Sequence, residues 1–67
     1  NDEILITVIA PSEWQYNVKN GVELFSMPLL TNREQKRVAL QVPVVALREV
    51  LIELSSQDIT IEHLFDY

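Results

Sequence analysis

The stretch ILITVIA, residues 4–10, decides the fold because it is apolar on both sides of an extended chain. Successive side chains of a strand point to opposite faces of a sheet, so the run separates into two sets. Leu5 and Ile9 lie on one face, and the other face carries Ile4, Ile6, Val8 and Ala10. Such a strand is either central in a sheet that is covered on both sides or lies at an interface with another chain.

Two extended runs follow, joined by Asn20-Gly21, a pair favoured in two-residue type I′ hairpins because both positions accept positive φ. We therefore predict a β-hairpin in which Tyr16 pairs with Phe25. The same register pairs Trp14 with Met27. Alternation along the two strands then gathers these four side chains into one aromatic and thioether cluster on one face.

A strand, a helix and a strand make up the second half of the sequence. Residues 36–42 alternate apolar and polar side chains with period two, which predicts a half-buried strand. Pro43 stands where a helix favours its first residue, and the helical spacing of apolar residues after it predicts an amphipathic helix over residues 44–56. Residues 59–65 return to period two. We expect the two flanking strands to run parallel, as in a crossover unit.

The order of these elements predicts an α+β fold. We expect a small, mostly antiparallel sheet of about five strands, in the order β-β-β-β-α-β, with the amphipathic helix packed on one face. No internal repeat or flexible linker interrupts the sequence, so we expect residues 1–67 to form a single small domain. Because the chain starts at Asn1 rather than at Met, we interpret it as a processed form or an excised domain.

Length and composition exclude several classes of function. A chain of 67 residues buries roughly 60% of the surface that its unfolded form exposes, so its core is thin. The lack of cysteine excludes disulfides and thiolate zinc sites, and it leaves the compartment unmarked. The net charge of −5 argues against nucleic acid as a ligand. No apolar run approaches the roughly 18 residues of a membrane span, so we expect no membrane insertion and a soluble domain.

Residues that carry chemistry in enzymes are sparse in this sequence. His63 is the single histidine, and no nucleophile motif accompanies its imidazole. Asp58, Glu62 and Asp66 recur every four residues, but on a strand Glu62 and Asp66 stand about 13 Å apart, too far to share a metal ion. The single glycine serves the predicted hairpin, which excludes glycine-rich phosphate loops. We therefore predict no catalytic site, no bound metal and no cofactor.

Charge is distributed unevenly along the chain. Residues 31–48 carry a net charge of +3, whereas residues 49–67 carry −5. We expect Arg37 and Glu62 to lie on neighbouring strands and to set the register at the rim of an interface. The basic cluster of Arg33, Lys36 and Arg37 offers a contact for a phosphate or carboxylate group.

The sheet face that the helix leaves uncovered leads to the functional hypothesis. A monomer rarely exposes a contiguous apolar patch of more than a few hundred Å² to water. We expect a non-catalytic protein–protein interaction or assembly module that buries this face by self-association or by docking on a larger partner. The predicted interface residues are Leu5, Ile9, Val45, Ile52, Arg37 and Glu62. The alternative is a small-ligand-binding regulatory domain with a pocket at a dimer interface, where the basic cluster holds an anionic group.

Overall fold

The computed structural model describes residues 2–65, which form a four-stranded sheet and a helix on one side of it. A short 3₁₀ turn at Val44–Ala46 leads directly into the helix. The elements are the strands β1 (Glu3–Pro11), β2 (Val22–Pro28), β3 (Gln35–Pro43) and β4 (Thr60–Phe65), and the helix α1 (Leu47–Ser56). The prediction of a small α+β fold with its helix packed on one face is confirmed.

Strand β1 lies at the centre of the sheet, whose order is β2-β3-β1-β4. Ile6 pairs with Leu40 of β3 on one side and with Leu64 of β4 on the other, and both pairings are antiparallel. Strands β3 and β4 therefore run parallel, as predicted, but β1 separates them. The expectation that Arg37 and Glu62 lie on adjacent strands is wrong, because the β-branched run of β1 occupies the central position between the strands that carry them.

The core lies between α1 and the sheet face that β1 and β3 turn towards it. Alternation along the two strands selects these side chains, and the helix adds the residues of its apolar stripe. Each member exposes at most 6% of its surface, and the members are Ile4, Ile6, Val8, Ala10, Val38, Leu40, Val42, Ala46, Val50, Leu54 and Ile59. This face of β1 is thus buried within the chain itself.

Helix α1 ends in a Schellman motif, in which the turn after the helix satisfies its last carbonyl groups. The Ile59 N–H donates to the Leu54 carbonyl at 3.0 Å, and the Asp58 N–H donates to the Ser55 carbonyl at 3.0 Å. Asp58, the donor of the second bond, takes the left-handed conformation with φ of 61°. Leu54 and Ile59 are both buried, so the motif also turns the chain back into the core before β4.

The predicted hairpin around Asn20-Gly21 is wrong, because residues 12–21 form no strand. The Tyr16 hydroxyl instead donates a hydrogen bond to the Asn20 carbonyl, and burial raises the pKa of this phenol. Gly21 has φ of +88°, and a Cβ there would stand 3.0 Å from the Gln41 carbonyl oxygen. The glycine is therefore needed, but for a close approach to β3 rather than for a two-residue turn.

The loop of residues 12–21 packs on the core beside the helix, which explains why the sheet has four strands and not five. Trp14, Tyr16 and Val18 contact the core cluster and are half-buried. The Trp14 indole donates to Gln57 Oε1 at 2.9 Å, and Lys36 Nζ donates to the Trp14 carbonyl at 2.6 Å. A single short helix leaves part of the core uncovered, and burial of these side chains there outweighs the local preference for a hairpin.

Both edge strands carry a bulge. The β1–β4 register shifts between Thr7 and Val8, so Glu62 has no opposite residue on β1. The β2–β3 register shifts in the same way at Leu24. A bulge bends an edge strand and interrupts its row of hydrogen-bonding groups.

Among residues 2–65, the structure has no helix with the length and apolar character of a membrane span.

Candidate functional site

The face of the sheet that points away from α1, called the open face below, carries apolar side chains that no other element covers. Strand β1 contributes Leu5, Thr7 and Ile9, and the registers place residues of the other three strands on the same side. These residues are Val22, Phe25 and Met27 from β2, Arg37, Ala39 and Gln41 from β3, and His63 and Phe65 from β4. Glu62, in the bulge of β4, lies on the same side because it pairs with Arg37.

The most exposed of the large apolar side chains on the open face belong to β2. Val22 is 56% exposed, Phe25 51% and Met27 48%. Ala39 stands opposite both Thr7 and Phe25 and is 1% exposed, because its larger neighbours surround its small side chain. The open face thus has a small, buried side chain at Ala39, with the larger and exposed side chain of Phe25 beside it.

An ion pair crosses β1 on the open face. Arg37 donates to both carboxylate oxygens of Glu62, from Nε at 2.7 Å and from the terminal nitrogen Nη2 at 2.6 Å. Glu62 reaches Arg37 because the bulge in β4 turns it to this face. The Arg37 hydrogen bonds, helped by Thr7 and by the positive charge of Arg37, hold the pKa of the Glu62 carboxyl below its ordinary value.

His63 stacks on Phe65, with ring centroids 4.1 Å apart, and stands opposite Thr7 of β1. Both rings belong to the open face, where the stacking holds the imidazole flat against an aromatic neighbour. Among residues 2–65 no group of three or more His, Cys, Asp or Glu side chains is arranged to hold a metal ion. Asp66, the last member of the acidic series noted above, lies outside the described residues.

The predicted interface residues lie on two surfaces. Leu5 and Ile9 are half-buried on the open face, together with Arg37 and Glu62. Val45 and Ile52 lie on the helix side of the molecule, with exposures of 94% and 59%. The six residues therefore do not form one continuous patch.

Sequence reasoning missed the contributions of β2 and of Phe65 to the open face. The predicted hairpin placed Phe25 and Met27 on one face with Trp14 and Tyr16, whereas the structure places the two pairs on opposite sides of the sheet. The bulge at Leu24 also breaks the simple alternation of β2. The feature that could have predicted these contributions is the number of large apolar residues in β2, which is more than the core of a 67-residue chain can bury.

The predicted basic cluster also separates. Arg37 faces the open side and binds Glu62, whereas Arg33 and Lys36 line a cleft of about 410 Å³ at one end of β2. Lys36 belongs to the helix side, since it pairs with Ala10 of the core face.

Comparison with protein-family models, with curated proteins and with solved structures finds no match to this chain.

Proposed function

We propose that the chain is a non-catalytic assembly module whose open face packs against the open face of a second copy. The observation that carries the proposal is the exposure of Val22, Phe25 and Met27 on a sheet face that α1 does not cover. Apolar side chains gathered on one face lose contact with water when two such faces meet, and that transfer is the main favourable term in association.

The charges of the molecule favour the open face over the helix side for contact between two copies. Each copy carries a net charge of −5, so a contact that brings acidic groups together is opposed. On the open face Arg37 and Glu62 neutralise each other, and Glu3 stands at the far end of β1. The helix side exposes Glu49, Glu53 and Asp58 beside its apolar residues, and Arg48 offsets only one of these three negative charges. Two copies therefore approach at the lowest electrostatic cost through their open faces.

The edges of the sheet are poorer routes to assembly. Strand β2 carries a bulge at Leu24 and ends in Pro28, which has no backbone N–H to donate. Strand β4 carries the bulge at Glu62, and a charged residue within an edge strand opposes pairing with another strand. Pairing with another chain is therefore unfavourable along both edges of the sheet, whereas the open face is available to a partner.

The size of the open face sets the strength that we expect. Four strands about 4.8 Å apart and about seven residues long give a face of roughly 450 Å². Two such faces bury about 900 Å² before the relief of the side chains is added, which is below the roughly 1,200 Å² of standard interfaces and in the range of weak, transient ones. We therefore expect a reversible dimer with a dissociation constant on the order of micromolar.

Sedimentation equilibrium over a hundredfold range of concentration tests this proposal. We expect a monomer–dimer equilibrium that Phe25→Lys weakens by at least about thirtyfold, or roughly 2 kcal/mol, because the lysine replaces an apolar contact with a buried charge. Val22→Lys and Val45→Lys form a matched pair, since both replace an exposed valine, one on the open face and one on the helix side.

The proposal requires that Val22→Lys weakens the dimer and that Val45→Lys leaves it unchanged. Circular dichroism of each variant checks that the fold is kept. A wild-type chain that stays monomeric at every concentration would overturn self-assembly and leave the open face to a larger partner. A dimer that only Val45→Lys disrupts would overturn the choice of face.

A further inference from the structure

We propose that the cleft at the end of β2 binds a small organic oxyanion, a carboxylate or a phosphate monoester, between Arg33 and Lys36. This site goes beyond assembly through the open face, and the two surfaces share one residue, Met27. The cleft has a volume of about 410 Å³, and its lining residues are Ser12, Ser26, Met27, Pro28, Arg33 and Lys36. Two basic residues and two serines thus line one concave surface, and none of the described residues that line it is acidic.

The backbone holds Arg33 in a fixed turn. The Gln35 N–H donates to the Asn32 carbonyl at 3.0 Å, and the Glu34 N–H donates to the Asn32 side-chain oxygen at 3.0 Å. Ser12 fastens the same turn to the end of β1, since its hydroxyl donates to the Arg33 carbonyl at 2.7 Å. A ligand therefore meets a turn that is already ordered, which lowers the entropic cost of binding.

The Arg33 guanidinium has no hydrogen-bond or ion-pair partner among residues 2–65, in contrast to the guanidinium of Arg37. Its planar array of N–H groups matches the two oxygens of a carboxylate or phosphate. The turn thus presents an unpaired cation to the cleft. Long, exposed arginines are common on surfaces, but this one projects from an ordered turn beside a second cation.

Lys36 is held in place by one hydrogen bond, from Nζ to the Trp14 carbonyl at 2.6 Å. An ammonium group has three N–H donors, so the bond to Trp14 orients the group and leaves further donors for a ligand. The amine lies at the end of a half-buried side chain on β3. Two anchored elements, the turn and the strand, therefore bring Arg33 and Lys36 to the lining of the same cleft.

The walls of the cleft indicate an organic ligand rather than a bare ion. Met27 and Pro28 supply apolar surface beside the two cations, and a phosphate ion alone fills only part of the volume. A neighbouring cleft shares Ser12 and Arg33 but is also lined by Glu13 and Glu34. These acids limit the total negative charge that the site tolerates, so a ligand with a single oxyanion group fits best.

Titration of the ¹⁵N-labelled chain with inorganic phosphate, phenyl phosphate and benzoate, at constant ionic strength, tests the site by NMR. We expect saturable shifts of the Arg33 side-chain Nε–Hε signal and of the backbone signals of residues 12, 26–28 and 33–36. Both organic probes should bind several-fold more tightly than inorganic phosphate because they also contact the apolar wall. Comparison of phenyl phosphate with benzoate distinguishes the two classes of oxyanion.

Arg33→Gln should weaken binding of the organic probes at least tenfold, and Arg48→Gln, on the exposed side of α1, should leave it unchanged. Both variants remove one positive charge from an exposed position, so they separate a site from general electrostatic attraction. Shifts that stay linear with concentration, or an equal loss of binding in both variants, would overturn the site. Repeating the titration with Phe25→Lys, which weakens the dimer and replaces no residue that lines the cleft, distinguishes failure of this site from failure of the dimer.

Discussion

Asp58 takes a backbone conformation that a Cβ disfavours, although aspartate tolerates it better than most residues do. Its φ of 61° lies in the left-handed region, where glycine is the common residue after a helix and where a Cβ costs roughly 1 kcal/mol. Its carboxylate also stands next to the carbonyl end of α1, where negative charge is unfavourable. The Schellman motif keeps this residue in place, so the strain is stored in the folded chain.

Asp58→Gly should therefore stabilise the fold by about 1 kcal/mol, as measured by urea denaturation. Asp58→Ala is the control, because it removes the carboxylate but keeps a Cβ at positive φ. If glycine and alanine gave the same gain, the charge near the helix end rather than the backbone strain would be the cause.

The ion pair between Arg37 and Glu62 links the acid stability of the fold to one carboxylate. Because the folded chain lowers the pKa of Glu62, the pair stabilises the fold above the ordinary pKa of 4.5. That stabilisation is lost as the pH falls through the lowered pKa, where the carboxyl takes up a proton and releases Arg37. ¹³C NMR titration of the Glu62 carboxyl should give a midpoint below 4.5, and Arg37→Gln should raise it. An unchanged midpoint in that variant would contradict the assignment to Arg37.

At the scale of elements, the loop of residues 12–21 behaves as a second layer beside α1. Gln57 joins the two, since its side-chain oxygen accepts from the Trp14 indole and its amide donates to Asn17 at 3.0 Å. Removing the acceptor leaves a half-buried indole N–H without a partner.

Gln57→Ala should lower the free energy of unfolding by about 1–2 kcal/mol, because of that unsatisfied donor. Gln15→Ala is the matched control, since Gln15 is exposed in the same loop. Denaturant unfolding of both variants measures the difference. An equal effect of the two substitutions would mean that the loop is not anchored through Gln57.

Periodicity predicted the elements that depend on one strong pattern. Residues 44–56 have a single apolar stripe, and the structure places a 3₁₀ turn and α1 there. The Asn20-Gly21 signal failed because a local turn preference of this kind competes with burial of Trp14 and Tyr16, which only the folded core reveals. The bulge at Glu62 could not be predicted either, since the alternation of apolar and polar residues does not reveal an extra residue in a strand.

At the scale of the whole molecule, the sequence supports the fold class and half of the candidate site. The two apolar faces of residues 4–10 predict both a core face and an exposed face, and Leu5 and Ile9 lie on the latter. The other half of the candidate site lies on β2 and depends on which face of that strand is turned towards the helix. That choice follows from the β2–β3 register, in which Phe25 stands opposite Ala39, and a register is set by long-range packing rather than by local pattern.

The strand order has a consequence for the time course of folding. Strand β1 occupies the centre, yet Ile6 finds its neighbours in Leu40 and Leu64, far along the chain. Closing such long loops is entropically costly before any contact repays it, so we expect folding in milliseconds to seconds rather than microseconds. The most apolar strand, β1, therefore keeps one edge unpaired until β4, the last strand in the sequence, docks on it.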